Sequence, residues 1–272
     1  MSSVKQQGAA LLIVLWMIAL LMILAVSFSQ TMRIETQQIK QQQEALASKY
    51  LAMDGVWQVI QALVDERSDR LTNGTRYKMM TDKGTLFLQI QDQNGLLDVN
   101  YAPAELITSV LKIKGWSSHA AEQYADQIVD WRDRDSERLP AGAERLHYRS
   151  AGRDNSPKNA AFNSLEELRL LLSMDEQNYQ KIAPLMTVYS QQSGLNLSVL
   201  PVSLYSENER KRLSELPNDQ LQRLPAGRCF VIISRAEVKK SVASLKVAVL
   251  LNPEQTKDYA ILSWQAITGV ES

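Results

Sequence analysis

Apolar positions follow three different patterns along this chain. Residues 9–28 contain no charge and a single polar side chain, Ser27. At 1.5 Å per residue such a helix is about 30 Å long, the thickness of a bilayer's hydrocarbon core. A helix also satisfies its backbone donors and acceptors internally, as lipid requires. The run predicts a membrane anchor carried by Leu11, Leu12, Ile13, Trp16 and Leu20. Residues 33–66 have no Pro and only one Gly, Gly55. In them Ile34, Ile39, Leu46, Tyr50, Met53, Trp57, Ile60, Leu63 and Val64 recur at helical spacing. The same helix is therefore predicted to run on to Val64, about 84 Å in all. A polar neck at residues 37–43 follows the membrane, and the apolar stripe of the last five turns packs on the rest of the protein.

The second pattern is strand-like and the third helical. Asn73-Gly74 signals a turn. Residues 85–91 read as a strand, Asn94-Gly95 as a hairpin turn, and residues 96–100 as the returning strand. Helices are expected from Pro103, from the cap pair Ser117 and Ser118 through Trp131, from the capping box Ser164 to Glu167, and from Asp175 through Ile182. A loop of about thirty residues, 132–163, separates the second and third, which is unusual inside a compact domain. Strand character returns at residues 195–199, 228–235, 242–251 and 259–264, with a helix from Glu207 to Leu216 capped by Ser206. Leu97-Asp-Val-Asn-Tyr-Ala-Pro103 is echoed by Leu195-Asn-Leu-Ser-Val-Leu-Pro201 on the far side of the helical block. The pattern predicts an all-α domain inserted into an α/β domain.

Composition narrows the picture. Lys plus Arg and Asp plus Glu each number 30, so no basic excess points to nucleic acid. One cysteine, Cys229, excludes an intrachain disulfide. It lies in an apolar strand-like run and reads as buried filler. The apolar run exceeds the 7–15 residues of a signal-peptide core. Only Ala25-Val26-Ser27 imitates a cleavage site. Lys5 and the α-amino group lie on one side of the run, while Arg33 is offset by Glu35 on the other, which places the short leader in the cytoplasm.

Several segments together resemble a known family. They are Gly8-Ala-Ala-Leu-Leu-Ile-Val-Leu-Trp16, Asn94-Gly-Leu-Leu-Asp-Val-Asn100, Asp130-Trp-Arg-Asp-Arg-Asp135 with Pro140, Gly142, Ala143, Glu144 and Tyr148, Pro157, Asn159, Ala160 and Phe162, and Leu165-Glu-Glu-Leu-Arg169. The chain resembles the K-type minor pseudopilins, type II secretion system protein K. The resemblance implies a pseudopilin fold of class α+β: a long N-terminal helix packed on an antiparallel sheet, with a large inserted all-α domain. It implies a prepilin leader (1–8), the transmembrane part of the helix (9–32), a periplasmic α/β domain (33–101 and 192–272) and an inserted helical domain (102–191). A prepilin peptidase would cut between Gly8 and Ala9, and the new amine would be methylated.

Pilins and pseudopilins usually carry Glu at the fifth mature position. Here it is Ile13, a departure typical of the K type. A buried Glu in lipid is costly without a partner, and a subunit with none above it needs no such partner. The implied role is a non-enzymatic one: a subunit at the pseudopilus tip, anchored in the inner membrane. It would initiate or cap filament assembly for export of folded proteins, beside I- and J-type minor pseudopilins and other pseudopilins. The alternative is a minor pilin of a type IV or competence pilus.

One side-chain group suggests chemistry. Asp126, Asp130 and Asp133 share a helix face by steps of four and three, and Asp135 and Glu144 lie in the loop beyond. From the residues alone two readings stay open. The group is a solvated face neutralised by Arg132, Arg134 and Arg138, or a hard-oxygen site suited to calcium. The resemblance implies calcium, with Asp133, Asp135 and Glu144 as ligands. The spacing is not that of an EF-hand. His119 and His147 are distant in sequence and suit no zinc site. Neither a P-loop, a nucleophile elbow nor a dinucleotide fingerprint is found. Residues 168–182 could pass for half of a helix-hairpin-helix but lack a basic hairpin. Trp57 and Trp131 read as core, and Trp16 as a packing or lipid-facing ring.

Overall fold

The computed structural model describes residues 4–65, 72–221, 229–252 and 258–267. The first three residues of the expected leader lie outside that set. Helix α1 spans Val4–Val64 and passes through Gly8 and Ala9 without a break. A hairpin follows, β1 (Asn73–Met80) and β2 (Thr85–Asp92), then the two-residue strand β3 (Leu97–Asp98). Next come α2 (Ala104–Ile113), α3 (Ser118–Arg132), α4 (Arg145–Ser150), a 3₁₀ segment (Leu165–Leu170), α5 (Glu176–Ile182), β4 (Met186–Thr187) and α6 (Glu207–Ser214). The chain closes on β5 (Cys229–Val238), β6 (Ser241–Leu251) and β7 (Tyr259–Ala266). Among the described residues the main sheet is antiparallel in the order β1-β2-β5-β6-β7.

Two hydrophobic layers hold the fold. In the first, α1 lays Leu51, Ala52, Gly55, Val56, Val59, Ile60 and Leu63 on the sheet, at helical steps of three and four. Opposite them are Leu86 and Ile90 of β2, Phe230, Ile232 and Ala236 of β5, and Leu245, Val247 and Val249 of β6. The approach is close. Ser234 Oγ donates to the Ala52 carbonyl at 2.8 Å, and Ser48 and Ser241 hydroxyls meet at 3.3 Å. A Cβ added at Gly55 would lie 2.8 Å from Ser234 Oγ and 2.9 Å from Leu86 Cδ2.

The second layer is helical. Leu106, Ile107, Val110 and Leu111 of α2 pack on Ala121, Ala125, Ile128 and Trp131 of α3. The Trp131 ring lies 6.2 Å from Tyr148 and 6.0 Å from Phe162. Caps agree with the sequence at three helices. Ser117 Oγ accepts from Ala120 N, Asp175 Oδ1 from Asn178 N, and Ser206 forms a box with Glu209. The layer's core continues past residue 191, taking in Leu195, Leu200, Tyr205 and Leu213. It joins the sheet where β2 ends and β5 begins. The other end of β5 faces the start of the packed helix, where Lys239 Nζ lies 3.4 Å from Glu44 Oε1. The helical layer thus sits at the end of the sheet remote from the apolar run.

Four local expectations are corrected. Asn73-Gly74 is not a turn between elements but the start of β1, where a bulge falls between Asn73 and Arg76, and β1 pairs with β2 through a turn at residues 81–84. Residues 96–100 do not return as a hairpin strand: Gln93–Gly95 is a 3₁₀ turn, and β3 pairs in parallel with β4, Leu97 with Met186 and Asp98 with Thr187. Side chains drive this, because Asp92 Oδ1 accepts from Asn94 N at 2.9 Å, and the Gly95 Cα faces the Val199 carbonyl so tightly that a Cβ would come within 2.2 Å. Residues 197–199 form a 3₁₀ turn rather than a strand, with Asn196 Oδ1 accepting from Ser198 N. Ser164 does not cap a helix with its side chain; Leu165–Leu170 is 3₁₀, and Glu167 Oε1 accepts from Asn163 N at 2.9 Å. Arg228, the expected start of β5, lies outside the described residues.

Gly55→Leu is expected to destabilise the folded chain by about 1–3 kcal/mol, because α1 must lift off the sheet. Asp54→Ala, one position away on the exposed side, leaves the melting midpoint within a degree or so. Thermal melts of both variants in detergent check this, and equal midpoints would contradict the close seat.

Candidate functional site

Two features outside the packed cores carry chemistry. The first is the outer side of α1. Met32, Ile39, Leu46 and Met53 recur every seven residues, and Tyr50 and Trp57 follow the last two by four. Ile39 is 55% exposed, Leu46 53%, Tyr50 62% and Trp57 41%. A seven-residue apolar repeat is the seam along which a second helix packs. It continues directly from the uncovered apolar run holding Leu11, Leu12, Ile13, Trp16 and Leu20. Trp57 leans on the edge strand, 6.2 Å from Tyr259 and 5.8 Å from Trp264. This corrects the sequence expectation: of the predicted stripe only Ile60 and Leu63 lie in the buried face, with Met53 and Val64 at its margin. The buried face is instead set by small residues, Ser48, Ala52 and Gly55, which let the helix approach.

The second feature is the carboxylate group at the end of α3. Asp126 Oδ2 accepts from Ala141 N at 2.9 Å and Asp130 Oδ1 from Leu139 N at 3.1 Å. One turn apart, they hold the loop after α3 by its amides. Gly142 presses on the second oxygen of Asp130, where a Cβ would come within 2.0 Å. Three buried oxygens then lack a hydrogen-bond partner: Asp130 Oδ2, Asp133 Oδ1 and Glu144 Oε1. Burial pushes Asp130 up to about 6; the Leu139 amide opposes this and the charges of Glu144 and Asp133 add to it. Burial also raises Asp133, with the Asp135 charge, and Glu144, with the charges of Asp133 and Asp135 beyond the opposing Arg145 amide. Asp135 is exposed, its Oδ1 accepting from Glu137 N. Among the described residues no three His, Cys, Asp or Glu side chains converge into a finished metal site. The orphaned oxygens nonetheless fit a hard cation by chemistry, since each is buried, acidic and unpaired.

A buried hub joins the layers beside this group. Asp98 accepts from Asn100 N at 2.8 Å, Gln191 N at 2.8 Å and Ser190 Oγ at 3.1 Å. Arg132 donates through Nη2 to the Ala102 carbonyl at 2.7 Å and through Nη1 to that of Val99. Asn100 brackets Phe162, accepting from its N–H at 2.7 Å and donating to its carbonyl at 3.0 Å. Burial raises the Asp98 carboxyl against these donors and lowers Arg132. These contacts account for the Asn94–Asn100 segment and for Phe162, which the sequence reading singled out without a role.

Residues 88–191 match the family model described as "Type II secretion system (T2SS), protein K". Protein K of Klebsiella pneumoniae is 26% identical over 202 residues, and that of Pectobacterium carotovorum subsp. carotovorum 24% over 205. Each match covers 66% of this chain and 62% of the relative's length. Over these residues the chain is similar to type II secretion system protein K, and it spans about three fifths of the length of those relatives. The fold agrees with a solved structure, the GspK-GspI-GspJ complex from the type 2 secretion system of enterotoxigenic Escherichia coli. The TM-score is 0.58 at 15% identity, covering 87% of this chain and all of that one.

The structure brings together two of the three residues named from the sequence as candidate ligands, Asp133 and Glu144, and leaves Asp135 exposed. It adds Asp130, whose inward placement follows from the helix face it shares with Asp126. His147 is not a ligand here: its Nδ1 accepts from Glu144 N at 3.2 Å. Trp131 is core, while Trp57 is surface. Cys229 is buried, its thiol pushed up to about 12 by burial.

Asp130→Asn keeps the acceptor for Leu139 and removes a buried charge. In chelator at pH 7.5 it is expected to stabilise the chain by about 3 kcal/mol at most, from a shift of roughly two pKa units. A carboxyl raised in the folded state favours folding at low pH and loses that advantage as pH rises from 3.8 to about 6. The gain therefore vanishes below about pH 4, as denaturant titrations at both pH values check. Asp98→Asn turns an amide N–H₂ toward one of its donors and is expected to cost about 2–4 kcal/mol in the same assay.

Proposed function

We propose that this chain is a minor pseudopilin, a tip subunit that initiates or caps the type II secretion pseudopilus. Its work is assembly rather than catalysis. The observation that carries the reading is the apolar repeat on the outer side of α1, continuous with the membrane run and left uncovered by the head. A single subunit has no use for such a face, whereas a neighbouring helix of the same anchorage buries it. The relatives are named protein K of this system. The solved structure of like fold is a GspK-GspI-GspJ complex, so I- and J-type minor pseudopilins are the proposed neighbours here. The proposed topology places the leader in the cytoplasm and the head in the periplasm. A prepilin peptidase releases residues 1–8, and the Ala9 amine is methylated. Ile13 at the fifth mature position leaves no carboxylate for a subunit above.

The carboxylate group is proposed to hold calcium through Asp130, Asp133 and Glu144, with Asp135 at its solvent side. A bound divalent cation neutralises their mutual repulsion and ties the end of α3 to the start of α4. The role is structural, since no reacting group accompanies it.

Leu46→Ser with Tyr50→Ser removes two exposed anchors of the seam. An aromatic hot spot of an interface commonly costs about 2 kcal/mol when truncated, so loss of Tyr50 with its neighbour Leu46 should lower co-isolation with the I- and J-type partners more than tenfold at an unchanged melting midpoint. Undiminished co-isolation, or loss of twitching and DNA uptake rather than exoprotein release, would contradict the assignment. Calcium is expected to raise the melting midpoint by several degrees and magnesium by less. Asp133→Asn with Glu144→Gln abolishes that rise, and a wild-type chain indifferent to calcium would end the metal proposal.

A further inference from the structure

Charges in the segment around α4 are sorted by direction. Residues 134–153 hold five arginines: Arg134, Arg138, Arg145, Arg149 and Arg153. All five are exposed. Among the described residues none lies within salt-bridge distance of a carboxylate; the six ion pairs involve other cations. The carboxylates that could neutralise them point the other way. Glu144 is buried, as is Asp130 beneath it, and the exposed acids along the stretch are three, Asp135, Glu137 and Asp154 just past Arg153, against five arginines. In a chain of zero net charge this is a segregated positive face.

Its geometry is ordered. Arg145 and Arg149 are four apart on α4 and project side by side. Arg138 is held beside the same helix, Nη1 at 3.2 Å from His147 Nε2 and Nη2 at 3.4 Å from the Pro140 carbonyl. Arg153 is fixed at the helix end, its N–H donating to the Tyr148 carbonyl at 2.9 Å. Between them Leu146 stands 75% exposed. A guanidinium presents a planar fork that matches a carboxylate with two parallel hydrogen bonds. Rows of arginine around an uncovered leucine have the make-up of a protein contact: apolar centre, charged surround.

We infer that the α4 face, Arg138, Arg145, Leu146, Arg149 and Arg153, docks a partner protein through a surface rich in Asp and Glu. The inference does not depend on the seam of α1 or on bound calcium. Placement favours protein over the chain's own membrane. From Phe28, where the apolar run ends, to Glu44, the first residue of α1 paired with the head, sixteen residues give about 24 Å of bare helix. The helical layer lies beyond the far end of the sheet, so lipid headgroups around the anchor do not reach it.

The test uses the full chain in uncharged detergent micelles, with poly-L-glutamate as the carboxylate probe and vesicles containing phosphatidylglycerol as the phosphate probe. Poly-L-glutamate is expected to bind at low salt and weaken steeply toward physiological ionic strength. Arg145→Ala with Arg149→Ala is expected to weaken it about tenfold at an unchanged melting midpoint, and Arg145→Lys with Arg149→Lys to fall between. Lys239→Ala with Lys240→Ala, at the other end of the sheet, leaves binding as in the wild type. Absent binding to poly-L-glutamate, or binding indifferent to the α4 arginines, overturns the inference. Vesicle binding that exceeds poly-L-glutamate binding and depends on the same arginines assigns the face to lipid phosphate and overturns the acidic-protein reading.

Discussion

The seat of α1 on the sheet sets everything else in this molecule. Ala52, Gly55 and Ser48 carry almost no side-chain bulk, so the helix backbone comes near enough for Ser234 to reach the Ala52 carbonyl. Once that approach is made, helical geometry leaves no freedom over which residues point away. Leu46, Tyr50 and Trp57 are displaced to the outer side, although they are larger and more apolar than much of what is buried. Exposing them costs free energy that the folded chain by itself does not recover.

The helical layer is attached by polar contacts as much as by apolar ones. Asp98 and Arg132 sit between the two-stranded β3–β4 ladder and the end of α3, and each is satisfied mainly by backbone groups. Such a hub is costly to bury and costly to break, so it fixes one arrangement of the loops around it. Asn100 extends the same logic to Phe162, which closes the ring stack on Trp131. The position of the carboxylate group follows, because the end of α3 carries both Arg132 of this hub and the neighbouring Asp130 and Asp133.

Around α4 the sorting of charge is a consequence of loop tethering. Asp126 and Asp130 spend their oxygens on amides of residues 139 and 141, which draws the loop inward and carries Glu144 with it. The arginines of the same stretch have no inward acceptor and remain in solvent. Acid inside and base outside thus arise from one set of hydrogen bonds within a single short segment.

The chain's own residues determined the long apolar run, the unbroken helix to Val64, three of the helix caps and the helices between the strand segments, because each depends on spacing within a few turns or on local capping chemistry. The carboxylate group was legible too, since Asp126, Asp130 and Asp133 share a face by helical arithmetic. Tertiary structure alone decided which stripe of α1 went inward, because hydrophobicity does not record how closely a backbone can approach a sheet and small residues do. It also decided that Leu97 and Asp98 pair in parallel with Met186 and Thr187 rather than folding back as a hairpin, a contact across nearly ninety residues governed by the Asp98 hub. That Asp130 is buried and Asp135 exposed was also decided there, because the loop after α3 folds back to place its Leu139 amide on Asp130 while the Asp135 carboxylate accepts from the nearby Glu137 amide.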